Sequence, residues 1–170
     1  MQNITPFLWF NGQAEEAMNF YTSVFKDSKV INVSRYGEGA PAPKGTVMSA
    51  TFELNGQKFM ALNGGPHHSF TPAISFFVEC ETQEEVDELW NKLSEGGSDE
   101  QCGWLKDKFG LSWQVVPRAL SEMITDPDIE KTDRVMKVLM QMKKLDLAAL
   151  LAAYQGSGAG SVKNKPVMTV

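Results

Sequence analysis

His67 and His68 are the two histidines of the sequence and stand together in Gly64-Gly65-Pro66-His67-His68-Ser69. An imidazole titrates near neutrality, so either could act as a general base or as a loose metal ligand. Adjacent side chains seldom converge on one ligand, and the plainer reading is a pair of surface loop histidines. Cys80 and Cys102 are too far apart for a CxxC motif and too few for a disulfide framework. They read as two half-buried reduced thiols. Glu53, Glu79 and Glu81 fall on strands or strand ends and read as solvated outward groups, because an unpaired buried carboxylate is costly. Asp107 and Lys108 read as part of a polar strand face.

Aromatic residues are the other chemical resource. Strand alternation puts Thr5, Phe7 and Trp9 on one face, with Ala73, Ser75 and Phe77, and Ser112 with Gln114, on the matching face of a second unit. Trp90 falls on the apolar side of a helix; Trp113 and Phe10 have the parity of core residues. Phe7, Trp9, Phe77 and Trp104 are the pocket candidates, with plain core filling as the alternative. Gln114 is the polar side chain singled out, since a buried amide needs partners and a ligand would supply them.

Composition narrows the classes. The chain has 170 residues, 42% hydrophobic and 22% charged, with a net charge of -5, the profile of a globular domain with a sizeable core. A mildly acidic chain without clustered Lys and Arg is not a nucleic-acid binder. No apolar run is long enough to span a membrane. Met1 to Pro6 carries neither a basic n-region nor an apolar h-region, so a cytoplasmic location is expected.

The elements that would position these residues come in a repeated order. Residues 4–10 read as a strand broken by Asn11-Gly12, and Ala14, Ala17, Met18, Tyr21, Val24 and Phe25 keep helical spacing. A strand over 29–36 and a hairpin over 46–54 and 57–62 around Asn55-Gly56 follow. The pattern then restarts. Residues 73–80 read as a strand, Thr82-Gln83-Glu84-Glu85 as a capping box, and Val86, Leu89, Trp90 and Leu93 as a helix face. A hairpin over 102–108 and 111–116 turns at Phe109-Gly110. Beyond Ala119, Asp126-Pro127 reads as a helix start. Val135, Val138, Leu139 and Met142, then Leu147, Leu150, Leu151 and Tyr154, give one or two more helices. The class is α+β, built from a βαβββ unit used twice.

That doubled unit resembles the vicinal oxygen chelate superfamily (the glyoxalase, bleomycin-resistance and dioxygenase group), and within it the PhnB-like branch. The residues that carry the likeness are Leu8-Trp9-Phe10-Asn11-Gly12, Ala14-Glu15-Glu16-Ala17 and Phe20-Tyr21, then Gly103-Trp104, Asp107-Lys108-Phe109-Gly110 and Trp113, across residues 4–118. The resemblance implies a glyoxalase-like split barrel over residues 1–118, with modules at 4–64 and 72–118; the apolar spacing beyond it gives a helical extension over 119–155, and the glycine-rich stretch from Gly156 a flexible tail over 156–170. The resemblance also implies a homodimer, to which the apolar C-terminal helix adds.

In metal-using members, His, Glu or Gln ligands occupy the first and last strands of each module. Those positions fall here on Thr5, Met60, Ala73 and Gln114, which cannot supply three or four converging donors. No metal and no other cofactor is expected. Sequences of this kind often carry the label 3-demethylubiquinone-9 3-methyltransferase. The chain shows no glycine-rich strand–turn–helix entry, and that activity is not carried over.

The reading that follows is a metal-free binder of an apolar or aromatic small molecule, with Thr5, Phe7, Trp9, Met60, Ser75, Phe77, Trp104 and Gln114 as ligand-contacting residues. One alternative is a metal-independent glyoxalase-like enzyme using His67 or His68 as base. Another is a structural or regulatory dimer whose interior is filled by its own side chains. Fold alone does not choose among them.

Overall fold

The computed structural model describes residues 4–157. The expected tail over 156–170 therefore lies, past Ser157, outside the described residues. The aromatic run of the first strand forms β1 (Phe7–Phe10). It is shorter than the expected 4–10, because Pro6 has no N–H to give the ladder and joins it only through its carbonyl, which accepts from Met60 N–H at 2.9 Å. Helix α1 (Ala14–Val24) buries Ala14, Ala17, Met18, Tyr21 and Val24. Its first N–H is capped from elsewhere in the fold. Asn63 Oδ1 accepts from Ala14 N–H at 2.9 Å, while Asn63 Nδ2 donates to the Val47 carbonyl at 2.9 Å.

Strands β2 (Ser28–Arg35), β3 (Val47–Leu54) and β4 (Gln57–Asn63) complete the first sheet, in the order β1-β4-β3-β2. The β3–β4 turn places Asn55 and Gly56 in the left-handed region, at φ 46° and 79°, the twist a two-residue hairpin needs. β1 lies parallel to β4, with Phe7 opposite Met60 and Trp9 opposite Leu62. The second module repeats the plan with β5 (Ser75–Cys80), α2 (Gln83–Ser94), β6 (Ser98–Asp99), β7 (Trp104–Lys106) and β8 (Ser112–Pro117). Its sheet order, β5-β8-β7-β6, matches the first. The capping box of α2 is half formed. Thr82 Oγ1 accepts from Glu85 N–H at 3.3 Å, but the Glu85 carboxylate reaches the Glu81 N–H at 2.8 Å instead of that of Thr82.

Three helices follow, where one or two were expected: α3 (Arg118–Ile124), α4 (Ile129–Leu139) and α5 (Leu147–Gln155). The start of α4 also differs from the expected Asp126-Pro127. Asp128 is the cap, accepting from Glu130 and Lys131 N–H, and Pro127 precedes it. Asp126 instead accepts the Tyr154 hydroxyl and the Asp128 N–H.

These elements fold as two compact units. Among the described residues, one holds 4–76 with 91–98 and 106–113; the other holds 77–90, 99–105 and 114–157. In the first, Tyr21 and Trp113 meet at 5.5 Å between ring centroids, Phe52 stacks on Phe59 at 5.7 Å and Phe76 meets Trp113 at 5.4 Å. Trp113 is buried, as its parity requires. Asp107 corrects the sequence reading: it lies inside this core, 2% exposed, and not on a polar strand face. Oδ2 accepts the Tyr21 hydroxyl at 2.7 Å and the Trp113 indole N–H at 2.8 Å, and Oδ1 accepts the backbone N–H of Phe109 at 2.9 Å and Leu111 at 3.0 Å. Burial pushes the carboxyl above its usual value, with the four donors pulling the other way. Burial first, then the Asp107 charge, holds the Tyr21 phenol well above its ordinary range, so it remains a donor.

The second unit packs Val116, Leu120, Met123, Val135, Leu139, Leu145 and Leu150 together. Gln83 ties the start of α2 to the turn before α5, donating to the Leu145 carbonyl at 3.0 Å and accepting from Leu147 N–H at 2.7 Å.

Two outcomes test these cores. Asp107→Ala leaves four buried donors unpaired and is expected to cost about 3 kcal/mol in denaturant unfolding. Asp107→Asn keeps the shape and an acceptor for the two backbone N–H groups, the Tyr21 hydroxyl can turn to accept, and only the Trp113 N–H is left unpaired, so it is expected to cost less than the alanine; equal losses would reject this role of the side chain. The second concerns acid. The Tyr154 hydroxyl, followed by the Asp128 N–H, holds Asp126 below its ordinary 3.8. That contribution is complete above the unfolded value and is lost as pH falls through the lower folded one. Stability measured from pH 7 down to about 2 is expected to fall less steeply in Tyr154→Phe than in the parent chain.

Candidate functional site

Alternation along β1 turns Leu8 and Phe10 into the core of the first unit and leaves Phe7 and Trp9 on the other face, with Met60 beside Phe7 in register. Trp9 is held by the loop that follows β4. Its indole Nε1–H donates to the Gly65 carbonyl at 2.9 Å, and the His68 ring stands edge-on to it at 4.8 Å between centroids. Gly64 is there because of Trp9: a Cβ at residue 64 would come within 2.2 Å of the indole ring. Gly65, at φ 90°, turns the chain so that its carbonyl meets that N–H.

Two hollows open on this tryptophan. The larger, of about 310 Å³, takes Phe7, Trp9, Phe70, Ile74, Phe76 and Leu111 among its walls. The smaller, of about 270 Å³, is bounded by Trp9, Phe10, Phe70 and Phe109 with polar Asn11, Gln13, His68 and Ser69. Trp9, Ser69 and Phe70 line both. Apolar walls with a few polar groups at one side suit an amphipathic aromatic guest better than an ion. Ile74 is 71% exposed and Phe7 54% exposed, more apolar surface than a plain linker and strand start would show.

Of the residues picked from sequence, Phe7 and Trp9 come together in the larger hollow. Thr5 and Met60 are half-buried in the same unit, and Ser75 lies between the wall residues Ile74 and Phe76 without lining the hollow itself. Phe77, exposed, with Trp104 and Gln114, half-buried, belong to the second unit. Gln114 already has an interaction partner in the structure, so the argument from a lone buried amide lapses. His68 lines the smaller hollow; His67 is exposed and lines neither. Phe70, Ile74, Phe76, Leu111, Asn11 and Gln13 escaped the sequence reading. The available signal was an aromatic and an isoleucine, Phe70 and Ile74, inside an otherwise polar Gly-Pro-His-Ser connection.

Both cysteines are free. Cys80 is buried, and burial followed by the charge of Glu85 pushes its thiol up to about 12, far from a neutral-pH thiolate. Among the described residues no three His, Cys, Asp or Glu side chains gather as a metal site. Of the positions to which the resemblance would assign a cation's ligands, Ala73 offers no donor and Met60 only a thioether, which does not suit a divalent ion. No helix of the described residues is long and apolar enough to cross a membrane.

The profile of the family described as 3-demethylubiquinone-9 3-methyltransferase matches residues 2–116. A PhnB protein of Bacillus cereus, described as a candidate 3-demethylubiquinone-9 3-methyltransferase, is 47% identical, with 68% of this chain and 99% of that chain covered and a TM-score of 0.64. Protein PA1353 of Pseudomonas aeruginosa is 24% identical over 69% of this chain and 98% of its own, with a TM-score of 0.58. The fosfomycin resistance protein FosX of Listeria monocytogenes, 14% identical over 74% and 98%, shares the fold with a TM-score of 0.55. No curated protein matches the chain.

The Trp9–Gly64 contact gives the test of the site's construction. Gly64→Ala is expected to displace the indole, at a cost of about 1–3 kcal/mol, and to change the near-ultraviolet circular dichroism. An unchanged spectrum and unfolding midpoint would show that Trp9 is not held by that approach.

Proposed function

The chain belongs to the 3-demethylubiquinone-9 3-methyltransferase family of PhnB-like vicinal oxygen chelate proteins, and from that premise we propose that it binds an apolar or aromatic small molecule without a metal. The observation that carries this reading is the hollow of about 310 Å³ walled by Phe7, Trp9, Phe70, Ile74, Phe76 and Leu111. Its volume is in the range that takes a small organic guest, and its walls are mostly apolar. The residues at the superfamily's cation positions, Thr5, Met60, Ala73 and Gln114, support the metal-free part.

The family match ends at residue 116, which supports placing the binding domain at 1–118 and treating 119–155 as an extension. A homodimer belongs to the same proposal, since exposed Phe7 and Ile74 are apolar surface that a second copy or a ligand would cover. One observation favours a second reading. His68 lines the smaller hollow beside Trp9, where it could serve as the base of a metal-independent enzyme.

The test is a fluorescence and thermal-shift titration with 2-naphthol, paired with metal analysis of the purified protein. Saturable binding is expected in the parent chain, with a loss of roughly tenfold or more in Phe7→Ala and Trp9→Ala. Absence of saturation, or stoichiometric Zn, Ni, Mn or Fe that survives purification, would sink the proposal. Turnover of a bound compound that disappears in His68→Gln would decide for the enzyme.

A further inference from the structure

Outside the family match, the helical extension has a hollow of its own. It lies between α4 and α5, measures about 390 Å³, and is floored by Val138, Ala149, Ala152 and Ala153 with Arg134 and Lys137 on one side. Small side chains on α5 leave the space, because alanine fills little of the gap between two packed helices. The two cations are three residues apart on α4 and so share a face.

Their charge is what gives the hollow a preference. Arg134 donates from Nε to the Ala153 carbonyl and from Nη2 to the Tyr154 carbonyl, both at 2.9 Å. Gly156 and Ser157 N–H add bonds to the Ala153 and Ala152 carbonyls at 3.2 and 2.9 Å. The last carbonyls of α5, the negative end of its dipole, are therefore already covered. Among the described residues neither Arg134 nor Lys137 is in an ion pair, although Lys29, Arg35, Lys44, Lys108, Arg118, Lys131 and Lys144 each are.

We propose that the α4–α5 hollow is a second binding site, taking an amphipathic monocarboxylate whose hydrocarbon lies on the alanine floor and whose carboxylate pairs with Arg134 and Lys137. The guanidinium is already oriented by its two carbonyl bonds, and its Nη1 donors together with the Lys137 ammonium provide the anion's contacts. The apolar part is held by burial, for which the floor supplies no competing polar side chain. It shares no lining residue with the aromatic hollow of the other unit.

Dodecanoate is the probe, titrated below its micelle concentration into the full chain by calorimetry, beside dodecanol and dodecyltrimethylammonium. Saturable binding of dodecanoate is expected, weaker by roughly tenfold for the alcohol and weaker still for the cation. Lys137→Glu, at an exposed position, is expected to weaken dodecanoate by roughly tenfold or more, and Ala152→Leu to block it by filling the floor. Phe7→Ala is expected to leave it unchanged. No saturation by dodecanoate, equal affinity for the cationic amphiphile, or loss in Phe7→Ala with retention in Lys137→Glu each overturns the site. Should Ala152→Leu fail to fold, the Lys137→Glu and head-group comparisons still decide. Failure of 2-naphthol binding has no bearing on this result, since that probe reads the other hollow.

Discussion

A carboxylate placed among aromatic rings is stable only if every lone pair finds a donor, and Asp107 meets that condition through four hydrogen bonds. The donors come from three places: Tyr21 on α1, Trp113 on β8, and the backbone of the turn between β7 and β8. One side chain thereby fixes the rotation of a helix, the register of a strand and the shape of a turn. The aromatic packing around it follows, because Tyr21 and Trp113 can be core residues only while their polar ends are satisfied. Lys108, the next residue, extends the arrangement outward, bonding Glu16 at 2.6 Å and lying 5.1 Å from the Phe20 and Phe109 ring centroids.

The backbone plan was legible in the sequence where a local rule has one solution. Asn55-Gly56 admits a two-residue hairpin turn, the alanine and aromatic spacing of 14–25 admits a helix, and the doubled βαβββ order follows from reading those signals twice. Asp107 escaped because strand alternation was applied to a residue that belongs to a turn. Its spacing from Gly110, with the side chain accepting from residues two and four ahead, is an Asx-type signal that competes with the strand reading. The same competition moved the start of α4 from Asp126 to Asp128. An aspartate before proline and a second aspartate after it are equally good caps by type, and the one whose side chain reaches the free N–H groups prevails.

The site was legible only in part, for a different reason. Phe7 and Trp9 follow from parity on one strand, which sequence supplies. Phe70, Ile74 and Leu111 come from a loop and a turn, whose path no periodicity describes. The meaning of Gly64-Gly65, a backbone pressed against an indole, exists only once Trp9 is in place. Sequence alone therefore named the chemistry of the walls and missed most of the residues that build them.

How far Trp9 can adapt bears on what the hollow recognises. Its N–H is committed to the Gly65 carbonyl and the His68 ring packs against it in a T-shaped contact, so the indole can offer a guest its remaining surface and no hydrogen bond. Polar selectivity must then come from Asn11, Gln13, His68 and Ser69 in the smaller hollow, while the larger offers only the Ser69 and Thr71 hydroxyls among apolar walls. A guest confined to the larger hollow would be chosen by shape and apolar area, where one methylene changes affinity only modestly. A guest long enough to pass Trp9 and reach the polar side would instead be chosen by hydrogen bonding, where an unmatched partner is costly. On the proposed small-molecule reading, the tryptophan shared by both hollows would divide a permissive binder from a selective one, with the length of the guest as the deciding variable.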